Sequence, residues 1–409
     1  MSQSPSVPAE QVPNGIVRSG PDYNSRTHTN KWCKVCAENI FPPDDHCSLA
    51  TVHPKALRHL TDEVAYHEWV NEGAVSVVVP HPDNKHVLVG TSWGVVVWNT
   101  TKHGHQMLKY QPTYKFDCQV TALALTPDGK HFISASEVYS SPSPSVHLWN
   151  LTFDPSEQKD PYHTDGNDYL TYYQYTRPVR YYKGPPGTVY SILMLNDGET
   201  FLGGSHRKIY MWHFMAELPF RTFEGHTSSV STLVMLPPNA EGTELFLSGS
   251  HDRRIRLWNT ASTSGGVGAS VKVYESSDVM NGITCIAVPP KDLWNKHKYF
   301  FTTSFDPTIR MWDFDTGEIL LKFRDGVHCS ILSICTYMIG DELHFATGGR
   351  DNTVRLWNAK WMVRFGICGS SHTTHTVHSK PVNAVALCGD GKHIVSGSKD
   401  GTVRFCHLC

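Results

Sequence analysis

A fifteen-residue phrase that returns along the chain constrains its fold more than any other feature. LFLSGSHDRRIRLWN ends at Asn259, YFFTTSFDPTIRMWD at Asp313, HFATGGRDNTVRLWN at Asn358 and HIVSGSKDGTVRFCH at His407. Weaker copies are HVLVGTSWGVVVWN, ending at Asn99, and TFLGGSHRKIYMWH, ending at His213. HFISASEVYSSPSPSVHLWN, ending at Asn150, carries an insertion. The tryptophans Trp98, Trp149, Trp212, Trp258, Trp312 and Trp357 stand 51, 63, 46, 54 and 45 residues apart, and Cys406 takes the slot 49 residues further on. A period of this length marks a repeat architecture, in which each unit buries its apolar faces against its neighbours.

Every copy has the same internal order. An alternating apolar run comes first, such as VTALAL from Val120 or VNAVAL from Val382. A turn follows, then a second run ending in a small-residue cluster (SGS or TGG), then a tight turn with Asp and Gly or Asn. A third run ends in Trp, and a more variable fourth follows, as in FRTFEGH at 220–226 or EILLKF at 318–323. Period-two alternation broken by turn residues predicts short antiparallel strands and excludes helices.

This grammar resembles the WD-repeat β-propeller family, from Val64 to Leu408. The resemblance implies an all-β fold of seven four-stranded blades around a central channel. The last copy stops after its third strand, so its fourth must come from elsewhere. VAYHEWV at 64–70 stands where a strand closing the ring, and removing its open edge, is expected. The predicted plan is a disordered tail at 1–30, a zinc-finger-like module at 31–60, and a seven-bladed propeller at 64–409.

The family resemblance also implies a tetrad of His, Ser or Thr, Asp and Trp within a blade. By position these are His226, Ser248, Asp252 and Trp258, and again His328, Thr347, Asp351 and Trp357. The last copy has His378, Ser396 and Asp400, with Cys406 in place of Trp; the fifth has Thr302, Asp306 and Trp312, with Val279 in place of His. A His–Asp–Ser set also suits a hydrolytic triad. These sets recur with the fold period, whereas a triad serves one active site, so a structural role is expected. No Gly-rich phosphate loop, GxSxG elbow or His-Glu-x-x-His pair occurs, and the chain is expected not to be an enzyme.

Partner binding is expected on the propeller face that carries the turns before the third strand. The residues there are Trp93, His206, His251, Phe305, Arg350 and Lys399, and aromatic and Arg residues on a rigid face are what interface hot spots are made of. Arg256, Arg310, Arg355 and Arg404 recur at one position of the third strand, so they are spread round the ring and not gathered in a nucleic-acid patch. A tyrosine-rich insertion from Leu151 ends in RPVRYYKG, which fits an outer strand; the rest is a loop suited to protein contact.

Ahead of the repeats, Cys33 and Cys36 form a Cys-x-x-Cys pair, followed by His46, Cys47 and His53. Two thiolates converging on a tight turn suit tetrahedral zinc. The expected ligands are Cys33, Cys36, Cys47 and His53, with His46 as the alternate to Cys47. The segment resembles the first half of a RING finger, without the second Cys-x-x-Cys. Elsewhere Cys118, Cys285, Cys329, Cys335, Cys368 and Cys388 stand singly and read as buried thiols of a reducing compartment. No apolar run approaches membrane-spanning length.

With 36 basic and 38 acidic side chains the formal charge is -2, so there is no global basic field for nucleic acid. The expected function is a non-catalytic scaffold or adaptor, cytoplasmic or nuclear, that binds protein or peptide partners. The alternatives are an RNA-binding regulator using the zinc-like module and the propeller face, or a ubiquitin-ligase-associated substrate receptor. Against the last, the Trp-Asp-x-Arg signature of cullin-docking propellers is missing: the third strands read on as Trp258-Asn259-Thr260-Ala261, Trp312-Asp313-Phe314-Asp315 and Trp357-Asn358-Ala359-Lys360.

Overall fold

The computed structural model describes residues 73–407 apart from 100–105, 111–117, 139–145, 152–174, 177, 239–241, 262–266, 295–297, 324–328, 360–372 and 377. The expected tail, the zinc ligands Cys33, Cys36, His46, Cys47 and His53, the closing segment 64–70 and His328 lie outside the described residues.

The described strands form six sheets, antiparallel save for two short parallel pairs. The repeat phrase appears as the second and third strands of each group. Tyr299–Ser304 pairs with Ile309–Asp313, for example, flanked by the inner strand Ile283–Ala287 and the outer strand Ile319–Phe323. The 15-residue strand Arg221–Met235 is the outer strand of one group and the inner strand of the next, and so joins two groups into one eight-stranded sheet. The last sheet has three described strands, Val382–Leu387, His393–Ser398 and Val403–His407. Among the described residues a helical turn, Lys291–Trp294, interrupts the strands.

The inner strands are tied to one another by side chains. Ser76 Oγ donates to Val120 O at 2.5 Å, Thr121 Oγ1 to Val189 O at 2.5 Å, and Ser191 Oγ to Val230 O at 3.4 Å. Ser231 Oγ donates to Ile283 O and Thr284 Oγ1 to Ile331 O, each at 2.6 Å. Val385 N donates to Ser333 Oγ at 3.1 Å, and Asn383 Nδ2 returns to Val75 O of the first strand at 2.7 Å. Most of these donors sit at a bulge of the inner strand, where the extra residue is freed from the ladder and aimed sideways.

The core lies between neighbouring strand groups. A cross-strand Phe stacks on each of five repeat tryptophans: Phe132 on Trp149, Phe201 on Trp212, Phe246 on Trp258, Phe300 on Trp312 and Phe345 on Trp357, with interplanar angles of 4–16°. An aromatic from the preceding outer strand then meets each Phe. Tyr110, Tyr182, Phe223 and Tyr274 do so edge-on, with centroids 4.8–5.2 Å away, and Phe323 is tilted at 6.1 Å. The edge-to-face arrangement sets a positive ring edge against a negative face. The first and last groups break the pattern, with Val87 opposite Trp98 and Ile394 opposite Cys406. Their apolar residues pack on each other instead: Val75, Val78, Val87 and Trp98 share one cluster with Ala384, Val395 and Val403.

The small-residue cluster has a steric cause. A Cβ on Gly249 would lie 2.6 Å from Ile283 Cγ2, and one on Gly397 2.4 Å from Val75 Cγ1, so the next inner strand passes too close for a side chain. Not every single cysteine is buried as expected. Cys329 is exposed, because it stands in a connection and not on a strand. Cys285, Cys335 and Cys388 are half-buried by exposure, and burial raises their thiol pKa, to about 12 for the last two. The segment RPVRYYKG supplies Arg180–Tyr182, which pairs with Val146–Leu148 as an outer strand. Tyr175–Thr176, just before it, pairs in parallel with Lys109–Tyr110 of the first sheet.

Candidate functional site

Four of the tight turns before the third strands are anchored on or just before their own inner strands by one recurring backbone bond. His251 N donates to Ser229 O at 2.9 Å, Phe305 N to Gly282 O at 3.1 Å, Arg350 N to Ser330 O at 2.9 Å and Lys399 N to Pro381 O at 2.9 Å. The turns therefore stand at one end of the strand groups and hold their side chains in register. His206 Nδ1 lies 3.3 Å from Ser229 Oγ, His251 packs against Phe305 with centroids 5.2 Å apart, and the Arg350 guanidinium sits 5.9 Å over the Phe305 ring. His251, Phe305 and Arg350 thus form a row across successive strand groups, and His206 joins it through Ser229, whose carbonyl accepts the His251 N–H. Trp93 and Lys399 stand on the matching turns of the first and last sheets.

The turn acids face inward and do not neutralise the exposed cations of the turns. Asp306 pairs with Arg310 at 3.0 Å, Asp351 with Arg355 at 2.7 Å and Asp400 with His378 at 3.3 Å. Among the described residues no carboxylate pairs with Arg207, Arg253, Arg350, Lys380 or Lys399. Sequence reading missed Arg207 and Arg253. Both hold positive φ (65° and 72°), where the last repeat has Gly401 at 83°. A non-glycine residue in the left-handed region carries backbone strain that the surrounding turn must over-determine.

Beneath the turns, the tetrads take shape. His226 Nδ1 lies 2.7 Å from Asp252 Oδ2 and its Nε2 2.7 Å from Ser248 Oγ, which also accepts Trp258 Nε1–H at 2.7 Å. Burial raises the Asp252 pKa, but the bonds from His226, Thr227 N and Arg254 N outweigh it and hold the carboxyl below its usual range. His378 repeats the set with Asp400 and Ser396. Trp357 Nε1 donates to Thr347 Oγ1 at 3.0 Å, while Asp351 of that copy pairs with Arg355. Where Val279 replaces the histidine, Arg310 is 3% exposed and makes two 3.0 Å bonds to Asp306. Two of the four periodic arginines, Arg310 and Arg355, are therefore buried partners of their own turn aspartate.

The opposite end of the groups holds a constellation that sequence reading passed over. In HPDNKH, His81 Nδ1 lies 2.9 Å from Asp83 Oδ1 and His86 Nδ1 2.6 Å from Asp83 Oδ2. The three ligand atoms lie within 4.8 Å of one another. The signal was the pair of histidines bracketing Asp83 in a slot that reads TPDGKH at 126–131.

Comparison with known proteins places these repeats. Residues 218–259, 268–313, 320–358 and 369–406 match the WD40 family (WD domain, G-beta repeat). The strand arrangement is similar to the WD40 β-propeller domain of Doa1, with a TM-score of 0.59 and 18% identity over 82% of this chain and 94% of that one. The chain thus carries WD40 repeats on a β-propeller type of fold. Protein ROOT INITIATION DEFECTIVE 3 of Arabidopsis thaliana is 23% identical over 76% of this chain and 63% of its own length. Pre-mRNA-processing factor 19 of Mus musculus is 27% identical over 49% of this chain and 36% of its own, and the Denticleless protein homolog of Danio rerio 25% over 45% and 31%. The matched stretch covers less than two thirds of each relative. No helix among the described residues is long and apolar enough to cross a membrane.

Proposed function

We propose that the repeats close into seven blades and that the ring is a non-catalytic scaffold, working inside the cell, which grips an acidic segment of a partner protein on the face of the tight turns. The seven-fold reading is supported by the chain of inner-strand bonds that ends with Asn383 on Val75, and by the apolar cluster shared between the first and last groups. The partner reading rests on one observation: the row from His206 to Arg350, with Phe305 at its centre and, on the turns that carry it, Arg207, Arg253 and Arg350, which no carboxylate pairs with among the described residues. Such a face attracts carboxylates over distance and offers Phe305 as a desolvated anchor.

Catalysis finds no support in the tetrads. Ser248 is fully buried beneath Trp258 and engaged by two partners, so no substrate carbonyl reaches it. The Cys33, Cys36, Cys47 and His53 segment is proposed to hold structural zinc on the strength of its donor set.

The test compares affinity-purified partners of the wild type with those of Phe305→Ala/Arg350→Glu and of Lys130→Ala, whose turn lies at the other end. Partners lost only in the first variant are expected; the same partners in all three would reject the face. The relatives named as pre-mRNA-processing factors give an RNA-binding reading its one support. Retention of RNA on a filter that falls with salt would favour it over a protein partner.

A further inference from the structure

The aspartate of the turn between first and second strands is a recurring part of the fold. Asp83, Asp128, Asp197 and Asp390 each accept the backbone N–H two residues on, and three of them are followed by a histidine at the third position. His86 on Asp83 and His393 on Asp390 are therefore versions of one turn-locking pair. What sets the first copy apart is His81. Thr126, Leu195 and Cys388 stand at its position in the other copies, and Thr126 donates its hydroxyl to Asp128.

The His81 ring is held from both sides. Its Nε2 lies 3.0 Å from Gly129 O in the neighbouring turn, a carbonyl that only accepts a hydrogen bond and so fixes that nitrogen as the donor. Nδ1 then carries the lone pair, and the Asp83 backbone N–H points at it from 3.2 Å. Yet Asp83 Oδ1 also lies 2.9 Å from this nitrogen. A lone pair and a carboxylate oxygen at that distance attract only with a cation, or a proton, between them.

We propose that His81 Nδ1, the Asp83 carboxylate and His86 Nδ1 bind a divalent transition-metal ion of the zinc class. Imidazole and carboxylate are the donors such an ion takes in a tetrahedral site, where adjacent ligand atoms stand roughly 3.3 Å apart around bonds of about 2.0–2.1 Å. The observed 2.9 and 2.6 Å run to different oxygens of Asp83 and must widen by about 0.4–0.7 Å to match that spacing, with the ion displacing the Asp83 N–H from His81 Nδ1; the ligand atoms already lie within 4.8 Å of one another. The Gly129 carbonyl supplies the outer partner that fixes the His81 tautomer, and Lys85 N and His86 N steady the carboxylate. Both rings are buried, at 8% and 7% exposure, while Asp83 is partly exposed and leaves one side for entry and a water ligand. The ion would pin the first group's turn to the second group's through Gly129.

The experiment uses the full chain carrying Cys33→Ser and Cys36→Ser, stripped with chelator and titrated with zinc, then with cobalt(II). One equivalent of zinc retained after desalting, a rise in melting temperature with metal, and a tetrahedral cobalt spectrum are expected. His81→Thr installs the solution of the next repeat and should fold, yet lose retention, shift and spectrum together. No retained zinc in the parent, or retention undiminished by His81→Thr, would overturn the site. Nitrogen-15 NMR showing both His81 ring nitrogens protonated near neutral pH, in protein that holds no zinc, would put a proton where we place the metal and overturn it equally.

Discussion

At the scale of single residues, the repeat is held by buried polar groups that have no alternative to each other. The Asp252 side chain is only 2% exposed and serves His226 and two backbone N–H groups. Asp252→Ala strands those donors and is expected to cost about 1–3 kcal/mol, read as a lower melting temperature. His147 makes a different prediction. It is 3% exposed, packs against Trp149 and Tyr181, and burial lowers its pKa to about 4. The folded state disfavours its charged form, so its contribution is intact above about pH 6.5 and is lost as pH falls toward about 4, up to roughly 3 kcal/mol. Chemical denaturation across that window should show a shallower slope in His147→Phe; equal slopes would remove His147 as the cause. The Trp–hydroxyl bond and the Asp turn were legible in the sequence, because both recur at fixed offsets. Arg310 was not, because an arginine that replaces a histidine as the aspartate's partner comes from a different strand position.

At the scale of elements, five outer strands carry an aromatic that wedges into the next group: Tyr110, Tyr182, Phe223, Tyr274 and Phe323. Tyr274 is fully buried, meets Phe300 edge-on and donates its hydroxyl to Phe314 O at 3.0 Å. Tyr274→Ala is expected to cost about 3–5 kcal/mol, whereas Tyr274→Phe removes only the hydroxyl and should cost about 1 kcal/mol. Thermal melts of both variants decide: similar losses would assign the stabilisation to the hydrogen bond and not to the ring. The strands themselves were readable from alternation. The wedge was not, since Tyr110, Tyr182 and Tyr274 precede the copies they stabilise and lie in the most variable part of each repeat. Nor does alternation reveal that Tyr175–Thr176 turns back to pair with Lys109–Tyr110.

At the scale of the whole molecule, stability depends on the last group meeting the first. Val403–His407 is paired on one side among the described strands, and such an edge recruits other chains when left open. A chain begun at residue 73 is expected to melt lower than the full chain and to self-associate in sedimentation. A monodisperse product with an unchanged melt would mean that 60–72 adds nothing to closure.

The sequence by itself determined the strand period, the antiparallel hairpins and the residues of the turns, because those properties depend on neighbours within a few positions along the chain. Tertiary structure decided which of these residues act together. The row from His206 to Arg350 spans 144 positions, and the bond from Asn383 to Val75 spans 308. Such distances close only when the strand groups pack side by side. The same packing turns the acids inward, leaves the cations on one end and brings Gly129 against His81.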